Sequence, residues 1–97
     1  MEKPVLHLDA DFDDDAWMWK SKGFYNGALV RFEGKEYSLM IYDKFRVSED
    51  IEEELETSTF FFEKNLIVVP SITRVDIEAA LADLATRGGF SSLIPNG

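Results

Sequence analysis

Hydrophobic and polar residues alternate most clearly on the two sides of Gly34. In residues 27–32 and again in residues 36–42, apolar side chains occupy every second position, and β-branched and aromatic types are frequent. A period of two is typical of β-strands that bury one face. A glycine within a short polar gap between two such runs is typical of a hairpin turn. The pattern therefore predicts a β-hairpin centred on Gly34.

The last third of the chain has a different period. Residues 73–87 carry apolar side chains spaced by three and four positions, at Ile77, Ala80, Leu81 and Leu84. This spacing is typical of a helix that packs one face on a core. Thr73 is a favourable N-cap residue, and Gly88 can adopt the left-handed conformation that ends helices. We therefore predict a C-terminal helix over these residues.

Shorter segments complete the prediction. Residues 4–8 predict a strand, and the spacing of Trp17 and Trp19 predicts a strand with both indoles on one face. Residues 59–62 and 66–69 predict a second hairpin, and the unbroken apolar run in the latter indicates a strand covered on both faces. The connections between strands are too short for parallel crossovers, which favours antiparallel pairing. The expected fold is α+β, with an antiparallel sheet of two hairpins and the C-terminal helix packed on one face.

Length and charge narrow the possible functions. The 97 residues allow a single compact domain, which spans the whole chain. The net charge is −9, from 19 acids against 10 bases, and the acids concentrate in residues 1–16 and 43–62. This balance disfavours direct binding to nucleic acids and to anionic membranes, whose phosphates would be repelled. It favours a basic protein partner, which the opposite field would attract.

The two acidic segments differ in predicted structure. Residues 9–15 are too acidic to bury and predict a solvated loop. Ser48 can cap a short acidic surface helix over residues 49–57, whose only apolar ridge is Ile51 and Leu55. Each segment is interpreted either as solvated surface or as part of a negative binding face.

Residue types that support catalysis are scarce. The chain has no cysteine, and His7 is its only histidine, so no base is available to activate a serine. Asp9, Asp11 and Asp13 alternate as at the start of a calcium loop, but Asp14 stands where glycine is required and Lys20 where a bidentate glutamate is required. We therefore expect no enzyme activity, no cofactor and no metal, with a looser divalent-cation site in this loop as the alternative.

One segment resembles a known group of proteins. Residues 65–84, with the strand Leu-Ile-Val-Val, the Thr-capped helix and the following Gly88-Gly89-Phe90, look like the C-terminal part of small bacterial immunity proteins. The resemblance is to those of contact-dependent growth inhibition and related polymorphic toxin systems. It implies a cytoplasmic antitoxin that binds and blocks a cognate toxin domain, and it carries over no active-site residue.

The sequence thus yields a primary hypothesis and an alternative. The primary hypothesis is an immunity protein that neutralises a basic toxin domain, with a nuclease favoured because nuclease sites are positive. The alternative is an acidic interaction module, such as a nucleic-acid mimic that blocks a DNA-binding protein. A cytoplasmic location is expected, because no apolar run approaches the ~18 residues of a membrane span and the N-terminus lacks a secretory pattern. The predicted partner-binding residues are Asp11, Asp13, Asp14, Asp15, Glu49, Asp50, Glu52, Glu53 and Glu54, with Trp17 as the aromatic anchor.

Overall fold

The computed structural model of the chain describes residues 3–97, so Glu2, which belongs to the first acidic segment, lies outside the described residues. These residues form a four-stranded sheet and three α-helices, with a final 3-10 turn. In chain order the elements are β1 (Val5–His7), α1 (Ala16–Lys22), β2 (Phe24–Phe32), β3 (Lys35–Asp43), α2 (Lys44–Leu55), β4 (Leu66–Val69), α3 (Arg74–Thr86) and the 3-10 turn (Gly89–Ser92).

The predicted central hairpin is confirmed. β2 and β3 pair antiparallel, with Val30 opposite Tyr37 and Phe32 opposite Lys35. The turn places Glu33 and Gly34 in the left-handed region, at φ 50° and 79°. β1 pairs antiparallel with the other side of β2. This confirms the strand predicted over residues 4–8. The sheet order is β1-β2-β3-β4, which makes β1 and β4 the edge strands.

The second predicted hairpin is wrong. Residues 59–62 form no strand, and β4 pairs parallel to β3, with Met40 beside Leu66 and Asp43 beside Val69. Parallel neighbours need a long crossover connection. α2 and the segment after it supply that crossover, so the sheet is mostly antiparallel with one parallel edge. The run in β4 is also not covered on both faces, since Val68 is about half exposed.

The strand predicted around Trp17 and Trp19 is a helix instead. α1 spans seven residues and ends at Gly23, whose left-handed backbone (φ 78°) lets its N–H donate to the Trp19 carbonyl. Residues two apart lie on nearly opposite sides of a helix. Trp19 therefore packs on the core side against Tyr25, with ring centroids 4.7 Å apart, whereas Trp17 points to solvent.

The acidic surface helix forms, but it begins earlier than expected. Asp43, rather than Ser48, is its N-cap, and the Asp43 carboxylate accepts a hydrogen bond from the Arg46 N–H at 2.8 Å. No residue of α2 is fully buried. Of its predicted apolar ridge, Ile51 is half-buried and Leu55 is exposed.

The C-terminal helix is confirmed. The Thr73 hydroxyl accepts from the Asp76 N–H at 3.2 Å, and Ile77 and Leu81 are fully buried. Behind the helix, Phe90 stacks on Phe32 at 4.5 Å. One core joins the helix to one face of the sheet, which gives the α+β fold expected from the sequence. Its buried residues are Phe12, Tyr25, Ala28, Val30, Phe32, Tyr37, Leu39, Ile41, Val69, Ile72, Ile77, Leu81 and Phe90.

Candidate protein-binding surface

Arg46 fixes the first turns of α2. Its guanidinium pairs with Asp50 at 3.0 Å, donates to the Lys22 carbonyl at 3.2 Å and lies 4.6 Å from the Phe24 ring centroid. The hydrogen bond to Asp50 raises the pKa of Arg46, so this cation remains charged. Arg46 therefore ties the start of α2 to the end of α1, and its charge is already matched by Asp50.

The other acids of α2 are largely unmatched. Glu49, Glu52 and Glu53 are exposed and form no ion pair with any residue in the range 3–97. Glu54 is also exposed, and its carboxylate accepts a hydrogen bond from the neutral Ser58 hydroxyl at 3.0 Å. The helix thus presents a negative surface that the described part of the chain does not neutralise.

A cleft runs between α2 and the segment that follows it. Two adjoining cavities, of about 330 and 300 Å³, share Glu54, Phe61 and Glu63 in their linings. We call the combined feature the α2 cleft. Its remaining lining residues are Tyr42, Arg46, Asp50 and Glu53 in one cavity, and Ser58, Phe60 and Phe62 in the other. Carboxylates and aromatic rings therefore line the same cleft.

The aromatic residues of the α2 cleft include two of the most exposed in the protein. Phe60 is 67% exposed and Phe62 is 71% exposed. Exposed apolar side chains that lie together on a soluble domain are typical of interaction sites. Tyr42 is by contrast buried, and this burial, together with a hydrogen bond to Asp50 and the charge of Glu63, raises the pKa of Tyr42 to about 12.

The first acidic segment forms turns, as predicted, but it is not wholly solvated, because Phe12 within it is 1% exposed and belongs to the core. The segment packs near the start of α3. Arg74 pairs with Asp13 at 3.2 Å and with Glu78 at 3.8 Å. The Asp9 N–H donates to the Tyr25 hydroxyl at 2.9 Å. Asp15 occupies the N-cap position of α1 without a side-chain cap bond, and Asp11 and Asp14 are exposed. Part of this segment therefore has a structural role.

The two acidic segments lie at opposite ends of α1. Asp15 precedes the helix, whereas the Gly23 carbonyl at its other end accepts a hydrogen bond from the Asp43 N–H at 2.8 Å, at the start of α2. A seven-residue helix is roughly 10 Å long, and its last turn carries Lys20 and Lys22. Within residues 3–97 no hydrogen bond or shared ion-pair partner joins the two segments. Trp17, the predicted anchor, lies on α1 and is 74% exposed.

Phe60 and Phe62 were not among the predicted partner-binding residues. Three consecutive phenylalanines at positions 60–62 were interpreted as a strand because aromatic residues favour strands. A signal in the sequence nonetheless distinguishes them. Consecutive residues of a strand point to opposite faces, so a strand with a run of phenylalanine needs apolar cover on both sides of the sheet. Without that cover, some of the rings lie in solvent.

A larger groove, of about 580 Å³, lies between β1 and α3. Its floor is apolar, with Val5, Leu6, Leu81 and Ala85, and its rim carries one base, Lys3, and one acid, Glu78. This mixed rim gives no electrostatic preference for a partner of either sign. Within residues 3–97 there is also no group of three or more acidic or histidine side chains placed to hold a metal ion.

No family model, curated protein or solved structure matches this chain. None of the helices formed by residues 3–97 has the length and apolar composition needed to cross a bilayer.

Proposed function

We propose that this protein is an immunity protein of the cytoplasm, which binds a basic bacterial toxin domain, with a nuclease the favoured class, and blocks it. The observation that carries the proposal is the unmatched acidic surface of α2, where Glu49, Glu52 and Glu53 are exposed and unpaired within the described chain. The resemblance of residues 65–90 to small immunity proteins supports it independently.

Fold stability does not account for the exposed acids of α2. Glu49, Glu52 and Glu53 are exposed on a helix with no fully buried residue, so the core does not require an acid at these positions. Like charges four positions apart, such as Glu49 and Glu53, destabilise an isolated helix slightly. These acids have no stabilising role in the free protein, but they can form ion pairs with a positively charged partner.

A nuclease domain is a natural target for such a surface. Its active site and flanking surface must attract phosphate groups and are therefore positive. The same positive field attracts an acidic protein and speeds its association. The acidic protein then competes with nucleic acid for the active site of the nuclease. Binding in or beside the active site then blocks substrate access without any chemistry on the inhibitor.

The test is protection from a cognate toxin. The product of the gene adjacent to the one for this protein is expressed in bacteria, with and without this protein, and growth is measured. We expect the neighbour alone to arrest growth, co-expression to restore it, and the two proteins to co-purify. Growth arrest that persists despite soluble expression of this protein would contradict the proposal.

Charge variants then locate the binding surface. Replacing Glu49, Glu52 and Glu53 with glutamine should slow association and flatten its salt dependence, since rim charges act mainly on the association rate. Replacing Asp11 and Asp14 with asparagine is the matched control, because these exposed acids belong to the other acidic segment. Stopped-flow measurements at two salt concentrations separate the two cases. An α2 variant that associates as fast as the wild type, with the same salt dependence, would exclude α2 as the binding surface.

A further inference from the structure

We infer that the α2 cleft binds an arginine-bearing apolar segment of the partner, with the guanidinium placed between the cleft carboxylates and the exposed phenylalanine rings. The inference rests on the proposed function, since it specifies which part of a basic partner makes contact. It also moves the main contact away from Trp17 to residues 53–63.

The aromatic half of the cleft requires an apolar contact. Phe60 and Phe62 are more than two-thirds exposed, and they line the same cavity as the half-buried Phe61. Covering apolar surface contributes about 25 cal/mol per Å² removed from water. A fully hydrated, strongly charged segment would leave these rings in water, so the occupant must bring apolar atoms as well as charge.

The carboxylate half of the cleft determines the sign of that charge. Asp50, Glu53, Glu54 and Glu63 line it, against one cation, Arg46. Arg46 is already engaged by Asp50, the Lys22 carbonyl and the Phe24 ring. The remaining carboxylates, at Glu53, Glu54 and Glu63, therefore have no cation within residues 3–97 and favour one from the partner.

Arginine fits this combination better than lysine. A guanidinium is planar, stacks on aromatic faces and can form two parallel hydrogen bonds with a carboxylate. It is also more weakly hydrated than an ammonium group, so less is lost when it enters a partly apolar cleft. Phe61 and Glu54 occur in both cavities, so a single side chain can meet a ring and a carboxylate together.

The direct test uses a capped amphipathic peptide of arginine and leucine as the probe. It is titrated into the full-length isotope-labelled protein, and binding is followed by amide chemical shifts. Two peptides with the same pattern replace arginine by lysine or by uncharged citrulline. We expect the largest shifts in residues 50–63, several-fold weaker binding of the lysine peptide and little binding of the citrulline peptide.

Single substitutions test the named contacts. Phe60→Ala and Phe62→Ala should each weaken binding of the arginine peptide about two- to fivefold, the range of an exposed cation–π contact. Glu54→Gln and Glu63→Gln should each weaken it by up to about fivefold, as for an exposed ion pair. Phe45→Ala and Asp83→Asn are the matched controls. Phe45 is 70% exposed and Asp83 is exposed on α3, yet neither lines the cleft.

The outcomes separate this inference from the proposed function. Shifts confined to residues 11–17, or equal losses in the Phe45→Ala and Phe60→Ala proteins, would overturn the cleft assignment while leaving a basic partner in place. A lysine peptide that binds as tightly would overturn the choice of arginine. Failure to protect cells from the toxin, with the peptide still bound in the cleft, would instead overturn the immunity function alone.

Discussion

At the scale of single residues, the buried side chain of Asn65 hydrogen-bonds two separate segments of the chain. Its side-chain amide donates to the Ser38 carbonyl at 3.0 Å and to the Ile94 carbonyl at 2.9 Å, and accepts from the Ile94 N–H at 2.8 Å. It is buried and has a left-handed backbone, at φ 54°. Asparagine tolerates this conformation better than most residues. Asn65 therefore joins β3 to the C-terminal tail just before β4 begins.

Replacing Asn65 with alanine should lower the free energy of unfolding by about 2–4 kcal/mol, because buried partners lose their hydrogen bonds and alanine disfavours a positive φ. Chemical denaturation measures the change. Asn26→Ala, at an exposed position of β2, is the control and should shift stability by less than about 0.5 kcal/mol. Equal midpoints for the Asn65→Ala and wild-type proteins would contradict the role given to this amide.

Tyr42 gives the protein a predictable response to alkaline pH. Burial is the main cause that raises its pKa from 10 to about 12, so the folded protein favours the neutral phenol. The unfolded chain loses this proton first. The corresponding stability is therefore fully present below pH 10 and is lost as the pH rises towards 12. Tyr42→Phe should weaken this loss in denaturation curves recorded across that range. Tyr25, whose pKa burial also raises, remains in both proteins. Equal pH slopes would contradict the assignment.

At the scale of elements, hydrophobic periodicity predicts the correct secondary structure where many residues share one period, and it fails where only a few do. The hairpin around Gly34 and α3 were predicted because many residues share one period in each. Only two residues, Trp17 and Trp19, define the pattern in α1. Their spacing fits a strand with both rings on one face, and it fits a helix with the rings on opposite sides equally well. Tertiary packing decides this case, since Trp19 stacks on Phe12 and meets Tyr25 edge-to-face.

The parallel pairing of β4 was missed for a related reason. An Asp43 cap starts α2 well before Ser48, and residues 59–62 are a loop rather than a strand. The sequence predicts a shorter helix from residue 49 and a strand over residues 59–62. Those two elements leave too little chain between consecutive strands for a parallel crossover. A cap depends on backbone geometry that several candidate residues can satisfy, so the choice between Asp43 and Ser48 could not be made from residue type alone.

The packing of α3 can be tested within one helix. Leu81→Ala should lower the free energy of unfolding by about 2–5 kcal/mol, because Leu81 is 2% exposed and its loss leaves a cavity. Val75→Ala is the control, since Val75 is 75% exposed on the same helix and should change stability by less than about 0.5 kcal/mol. Similar denaturation midpoints for the two variants would show that the buried face is misassigned.

At the scale of the whole molecule, the charge distribution and the core are largely independent. The core lies between α3 and the sheet, whereas α2 contributes no fully buried residue and carries much of the negative charge. The sequence alone predicts that these acids lie on an exposed surface helix. It does not predict the cleft beside that helix, because the aromatic wall of the cleft depends on where residues 60–63 pass, and periodicity carries no information about the path of a loop.

Neutralising α2 should therefore stabilise the free protein while weakening partner binding. Removing the like-charge pairs Glu49–Glu53 and Glu52–Glu56 with Glu49→Gln, Glu52→Gln and Glu53→Gln should add about 0.4–1 kcal/mol at low salt. Added salt should raise the stability of the wild type more than that of this triple variant, because it screens the same repulsion. Urea denaturation at low and high salt measures both effects. A less stable triple variant would indicate that these acids support the fold.

The parallel pairing of β4 also has a consequence for the order in which the chain folds. β2 and β3 are neighbours in sequence and can pair after closing only a short turn. β4 can join β3 only after the whole segment from 44 to 65 has been ordered enough to bring its ends together, and the entropy of closing a loop grows with its length. The hairpin should accordingly form early in refolding, with β4 and its Asn65 contacts following late. If the same hierarchy holds at equilibrium, amide hydrogens at the centre of the hairpin will exchange most slowly, and those of β4 will become exposed in openings that leave the hairpin intact.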